Sequence, residues 1–122
     1  MIKTIPIDLY NTFLILVVGD QHELKQGLED HNKSEQEYEE LAKDITPYST
    51  GKTALLSGGD VVIWVRKSFD IKTIVHEIFH AVYFVMDKVG IMLTNCSDEA
   101  FAYLAGYIGE KVFDAINSEK GC

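Results

Sequence analysis

The stretch "TIVHEIFHAVYFVMDKVG", residues 73–90, governs how the rest of the chain is read. Ile71, Ile74, Ile78, Val82, Val85 and Val89 recur at helical spacing, and Val75, Phe79 and Met86 widen that stripe until most of the circumference is apolar. Such a helix is expected to be mostly buried. It nevertheless carries His76, Glu77 and His80. Residues four apart project from one helical face a turn from each other, so the two imidazoles are neighbours and Glu77 lies beside them. A buried carboxylate without a partner costs on the order of several kcal/mol or is driven to its neutral form. Lys88 and Gly90 supply the stop, a cation at the negative end of the dipole followed by a C-terminal glycine.

Working outward, "DVVIWVRKS" (60–68) reads as a strand that leads straight into this helix, and "KTALLS" (52–57) reads as its hairpin partner across Gly58-Gly59, a two-residue turn signal. At the other end, "IKTIPIDLY" (2–10) and "NTFLILVVG" (11–19) read as two strands joined near Tyr10 and Asn11. The second is so continuously apolar that both its faces need cover, which predicts a central position in a sheet. Asp20 with Glu23 resembles a capping box and opens a long polar segment to residue 45, with a thin stripe of Leu24, Leu28, Tyr38, Leu41 and Ile45. That pattern predicts a solvated helix, with a break near His31 and Asn32. After "IMLTNC" (91–96), Ser97 is the predicted N-cap of a last helix, "SDEAFAYLAGYIGEKVFDAIN" (97–117). The predicted order is β-β-α-β-β-α-α in one α+β domain spanning 1–122.

Composition narrows the function classes. A chain of 122 residues suits one core, and 47% apolar with 25% charged residues is a globular balance. The formal charge of -8 repels phosphate and anionic lipid, which argues against nucleic acid and membrane surfaces as partners. "FLILVVG" (13–19) is too short to span a bilayer, and Pro6 and Asp8 interrupt a signal-peptide reading. Cys96 and Cys122 allow one bridge at most, so the expectation is a reduced, cytoplasmic protein. "STGKT" (49–53) imitates the end of a phosphate-binding loop, but Thr46 stands where that pattern needs glycine and a strand follows instead of a helix. His22 and His31 belong to the polar segment, where a solvated face accounts for them.

A metal ion resolves the cost of the three polar residues on the apolar helix. Two neutral imidazoles at i and i+4 bind one Zn²⁺, and a glutamate between them serves a zinc-bound water, the H-E-x-x-H arrangement of zinc metallopeptidases. The bland alternative is a pair of core histidines that satisfy each other, with Glu77 facing solvent. Asp98 and Glu99 begin the last helix, where favourable interaction with the helix dipole is their plain explanation.

With HEIFH at 76–80 and the Asp98-Glu99 pair, residues 60–110 resemble the core of a gluzincin, and the short chain is similar to the minimal versions called minigluzincins. The resemblance implies a small zincin-like domain: a short mixed or antiparallel sheet whose edge strand packs on the active-site helix, followed by a ligand helix. It implies His76, His80 and Glu99 as ligands of catalytic zinc, Glu77 as general base in peptide-bond hydrolysis, and "VVIWVRK" (61–67) as the edge strand along which a peptide or protein substrate lies. The chain departs from the family in having Tyr103 where an aspartate is often found, leaving Asp98 or a backbone carbonyl to orient a ligand histidine. Tyr103 and Tyr107, one and two turns beyond Glu99, are candidate donors to the anionic intermediate. Two other classes stand beside the metallopeptidase: a latent or non-catalytic zincin-fold regulatory or binding protein, and a plain interaction domain with core histidines.

Overall fold

Described over residues 1–120, the computed structural model runs through β1 (Ile2–Ile7), β2 (Thr12–Val18), α1 (Gln21–Asp30), α2 (Glu35–Ala42), β3 (Gly51–Leu55), β4 (Val61–Val65), α3 (Ile71–Lys88) and α4 (Asp98–Lys120). This is a small α+β domain with a four-stranded mixed sheet and four helices. The predicted long helix is two helices. The break falls where it was expected: His31 ends α1, and Asn32 takes a left-handed conformation at φ 60°, which asparagine tolerates better than most residues. Ser34 then caps α2 by accepting the Glu37 N–H. Asp20 caps α1 in the same way through the Glu23 N–H at 2.9 Å.

The sheet order is β1-β2-β4-β3, with β2 and β4 parallel and both outer strands antiparallel to their neighbours. β2 is central, as its unbroken apolar run predicts. β4 is not an edge strand, which corrects the expectation drawn from the resemblance: it is paired on both sides, and all five of its residues are excluded from solvent. A strand buried on both faces and hydrogen-bonded on both sides requires the "VVIWV" composition. The open edge beside α3 belongs to β3. The β3–β4 connection also differs from a two-residue turn: a short 3-10 turn over Ser57–Gly59 intervenes, with Gly58 and Gly59 at φ 85° and 90°.

Alternation along the central strands divides the core between the two faces of the sheet. Leu14, Leu16, Val61, Ile63 and Val65 meet Ile74, Ile78, Val82 and Val85 of α3 and Leu104, Ile108 and Val112 of α4. Ile15, Val17, Val62 and Trp64 meet Leu24, Leu28 and Leu41 of α1 and α2. Trp64, fully buried, donates its indole N–H to the Gly19 carbonyl at 3.1 Å. α3 is less enclosed than its composition predicts. Val75, Phe79 and Tyr83 are at least half exposed, because the sheet and α4 cover only one side of the helix.

The turn between β3 and β4 is anchored from below. Lys33 donates to the Asp60 carboxylate at 2.8 Å and to the Ser57 carbonyl at 2.6 Å, and both members of the ion pair are largely buried. The second carboxylate oxygen of Asp60, Oδ2, has no hydrogen-bond partner and no contact with solvent. Removing the ammonium would leave a buried, unneutralised charge, which costs about 3–5 kcal/mol. Lys33→Met is therefore expected to lower the unfolding free energy by about 3 kcal/mol. Lys33→Met combined with Asp60→Asn should recover most of that loss in urea titrations. A single variant as stable as the parent chain would remove the ion pair from the account of the turn.

Candidate functional site

α3 starts at a capped N-terminus. Asp70 accepts the Thr73 N–H at 2.8 Å, and that backbone bond, followed by the Thr73 hydroxyl, holds the Asp70 carboxyl below the usual carboxylate range. A lowered folded-state value means that this cap contributes at neutral pH and is lost as pH falls through it. At the far end, the Gly90 N–H reaches the Asp87 carbonyl and the Ile91 N–H reaches Met86, with Gly90 at φ 80°, the arrangement its position predicts. Lys88 reaches toward the Gly59 carbonyl at 3.5 Å.

Between these ends the motif residues separate. The core-facing side chains Ile74, Ile78, Ala81 and Val85 fix the rotation of the helix, and residues two positions on from a core residue face away from it. His76 and His80 are accordingly exposed, contrary to the expectation of a mostly enclosed pair. Their Nε2 atoms lie 3.1 Å apart with ring centroids 4.7 Å apart, one imidazole N–H donating to the lone pair of the other. Glu77 is the polar residue that is buried, at 7% exposure.

Glu77 has found a partner on β3. The Thr53 hydroxyl donates to Glu77 Oε1 at 2.7 Å and lies 3.1 Å from the Glu77 carbonyl oxygen. Gly51, the next position on the same inward face of β3, leaves room for the carboxylate: a Cβ there would come within 3.2 Å of Glu77 Oε2 and 3.1 Å of its Cγ. Thr50, Gly51, Asp70, Lys72, Thr73, His76 and Glu77 together line an open recess of about 400 Å³. In the sequence reading Gly51 and Thr53 belong to the "STGKT" imitation, and Thr53 also to the strand "KTALLS", with no site role given to either. The signal that could have found them is physical: a buried carboxylate on α3 demands a donor, and the adjoining strand offers one hydroxyl on its inward face.

The remaining candidates lie elsewhere. Asp98 and Glu99 are both exposed in the first turn of α4, where Asp98 accepts the Glu99 N–H at 2.9 Å. Ser97 stands at the predicted N-cap position, its carbonyl accepting the Phe101 N–H at 3.2 Å, but its side chain does not cap the helix. Its hydroxyl turns back into the preceding loop, accepting the Thr94 N–H and donating to the Met92 carbonyl. Tyr107 donates its hydroxyl to the Pro6 carbonyl at 2.6 Å, and Tyr103 and Tyr107 share a recess with residues 7–10 and with no residue of α3. His31, read in the sequence as part of a solvated face, is instead tied to Thr4 and to the Gly27 carbonyl and stacks on Phe13, a structural role at the end of α1. Cys96 is a free, exposed thiol, and Cys122 lies outside the described residues.

Whether this site suits zinc can be tested on its donors. Two imidazole nitrogens that converge to 3.1 Å are spaced for a shared tetrahedral ion with bonds of about 2.0–2.1 Å. Metal would replace the proton that now lies between them. Among the described residues, no third His, Cys, Asp or Glu joins the pair in a metal-holding group. The site thus offers half of a ligand set, with a held carboxylate beside it. Compared with protein-family models, curated proteins and solved structures, the chain matches none.

The Thr53–Glu77 bond can be measured by itself. A hydrogen bond to a charged group contributes about 1.5–3 kcal/mol. Thr53→Val keeps the volume and removes the donor, so unfolding free energy should fall by about 2 kcal/mol. Thr53→Ser, which keeps a hydroxyl, should recover at least half of that in the same denaturant titration.

Proposed function

We propose that the chain is a zinc-dependent metallopeptidase of the zincin type, with His76 and His80 as two metal ligands and Glu77 as general base. One observation carries this reading: next to two exposed histidines whose Nε2 atoms converge to 3.1 Å, the same helix holds a buried carboxylate fixed at one oxygen by Thr53. A pair of core histidines, the bland alternative, would not be exposed and would leave Glu77 free to face solvent. Glu99 is the residue this reading calls on as third ligand, and Asp98 is then left to the helix dipole.

When bound, zinc supplies Lewis acidity toward a carbonyl and lowers the pKa of a water molecule. The chain does the rest. Thr53 holds Glu77 Oε1, which leaves Oε2 to take a proton from the attacking water and return it to the leaving amine. The free edge of β3 supports an extended substrate. Arg66 donates to the Thr50 carbonyl and Leu56 to the Asp60 carbonyl, so by the alternation of antiparallel pairing the N–H and C=O groups of Gly51, Thr53 and Leu55 point away from β4. A peptide adding there would pair through its main chain beside Glu77, and recognition would favour unstructured segments.

The second reading is a zincin-like domain with a latent site, or one used for recognition. The observation in its favour is the missing third donor among the described residues. Zinc content and hydrolysis of an unstructured protein separate the readings: zinc without turnover favours the latent site, and no zinc at all favours a plain interaction domain.

Glu77→Gln is expected to retain zinc and fold while turnover falls about 10³-fold, since the proton acceptor is gone and the volume is unchanged. Glu99→Ala should weaken zinc affinity far more than Asp98→Ala when both compete against a chelator. Full activity in the first variant removes Glu77 from the mechanism, and the reverse order in the second pair removes Glu99 from the ligands.

The substrate track is tested on β3. Leu55→Pro removes one outward N–H and none of the ladder bonds to β4, so capture of an unstructured peptide should weaken about fivefold in a folded variant. Val62→Pro, in the doubly paired β4, should instead prevent folding.

A further inference from the structure

A largely apolar recess lies away from the histidine pair, where the corner between β1 and β2 meets α4. It has a volume of about 330 Å³, and Tyr10, Tyr103 and Tyr107 all line it. Two of its walls are apolar groups that the fold does not use: Leu9 and Tyr103 are each 77% exposed. Tyr107 is held in place by its bond to the Pro6 carbonyl, so that ring is preset. Asp8 is the one carboxylate in the lining, no lysine or arginine lines the recess with it, and among the described residues no cation pairs with its side chain. Lys111 does approach Tyr107, 5.6 Å from the ring centroid, but it lines the neighbouring recess on the β1 side and not this one.

We propose that this recess binds a small quaternary ammonium group of the choline type among its three tyrosines, with Asp8 as the counter-charge. The chemistry selects that class. Aromatic faces carry negative potential and attract a cation within about 6 Å, and a carboxylate at the rim adds a charge of the right sign. A quaternary ammonium spreads its charge over methyl groups and has no N–H to keep solvated, so it leaves water for an apolar, aromatic wall at less cost than a lysine ammonium does. An anion would meet Asp8 and the overall charge of -8. The position of Lys111 over Tyr107 shows that this ring already takes a cation on the neighbouring side.

The test uses the whole chain and two probes, choline and its uncharged isostere 3,3-dimethylbutan-1-ol, followed by chemical-shift titration of backbone amides and tyrosine rings. Choline should shift Asp8, Leu9, Tyr103 and Tyr107 saturably and bind about tenfold more tightly than the isostere. Tyr103→Ala, at an exposed position whose loss leaves the fold intact by circular dichroism, should abolish the shifts at Asp8. Asp8→Asn should remove most of the preference for the charged probe. Equal affinity for the two probes, no saturable shift with choline, or unchanged binding in Tyr103→Ala would each overturn the proposal.

Discussion

β2 and β4 have no face to spare. Side chains on both sides of each strand are excluded from water, so the sheet cannot be stable until helices cover it above and below. The two short helices α1 and α2 cover one face, and the long pair α3 and α4 covers the other. That demand fixes the rotation of α3, since Ile74, Ile78, Ala81 and Val85 have to point at the sheet. With those residues inward, Glu77 faces the flank where β3 runs and the histidines face solvent. The chemistry of the helix is thus a by-product of how the core is closed.

Much of this was legible in the residues, and the parts that were not have physical reasons. The central place of β2 follows from "FLILVV", and the break of the polar segment follows from His31-Asn32. The position of β4 was misread because the family resemblance outweighed composition: five consecutive apolar residues are poorly suited to an edge, where one side of the strand meets water. Which apolar residues of α3 would stay outside could not be read, since Val75 and Phe79 are no less hydrophobic than Ile74 and Ile78. Only the arrangement of neighbouring elements distinguishes them.

The site shows the same division. The i, i+4 spacing of His76 and His80 is local geometry, and their convergence follows from it. The partner of Glu77 is a long-range contact between a strand and a helix, and no local pattern announces Thr53 as that partner. Tyr103 and Tyr107 illustrate the opposite failure. They lie one and two turns beyond Glu99, but at those two positions α4 faces the corner between β1 and β2, so spacing from Glu99 did not bring them to the histidines.

The strand order has one more consequence. With β2 and β4 parallel at the centre and an antiparallel strand outside each, a half-turn about an axis lying between them along the strands exchanges β1 with β3 and β2 with β4. The same rotation carries one face of the sheet onto the other, and with it the pair α1 and α2 onto α3 and α4. In element order and sheet topology the chain is thus a ββαα arrangement used twice, although the sequence repeats nothing between the two halves. The second unit holds every group proposed for hydrolysis, and the first serves as its counterpart and support.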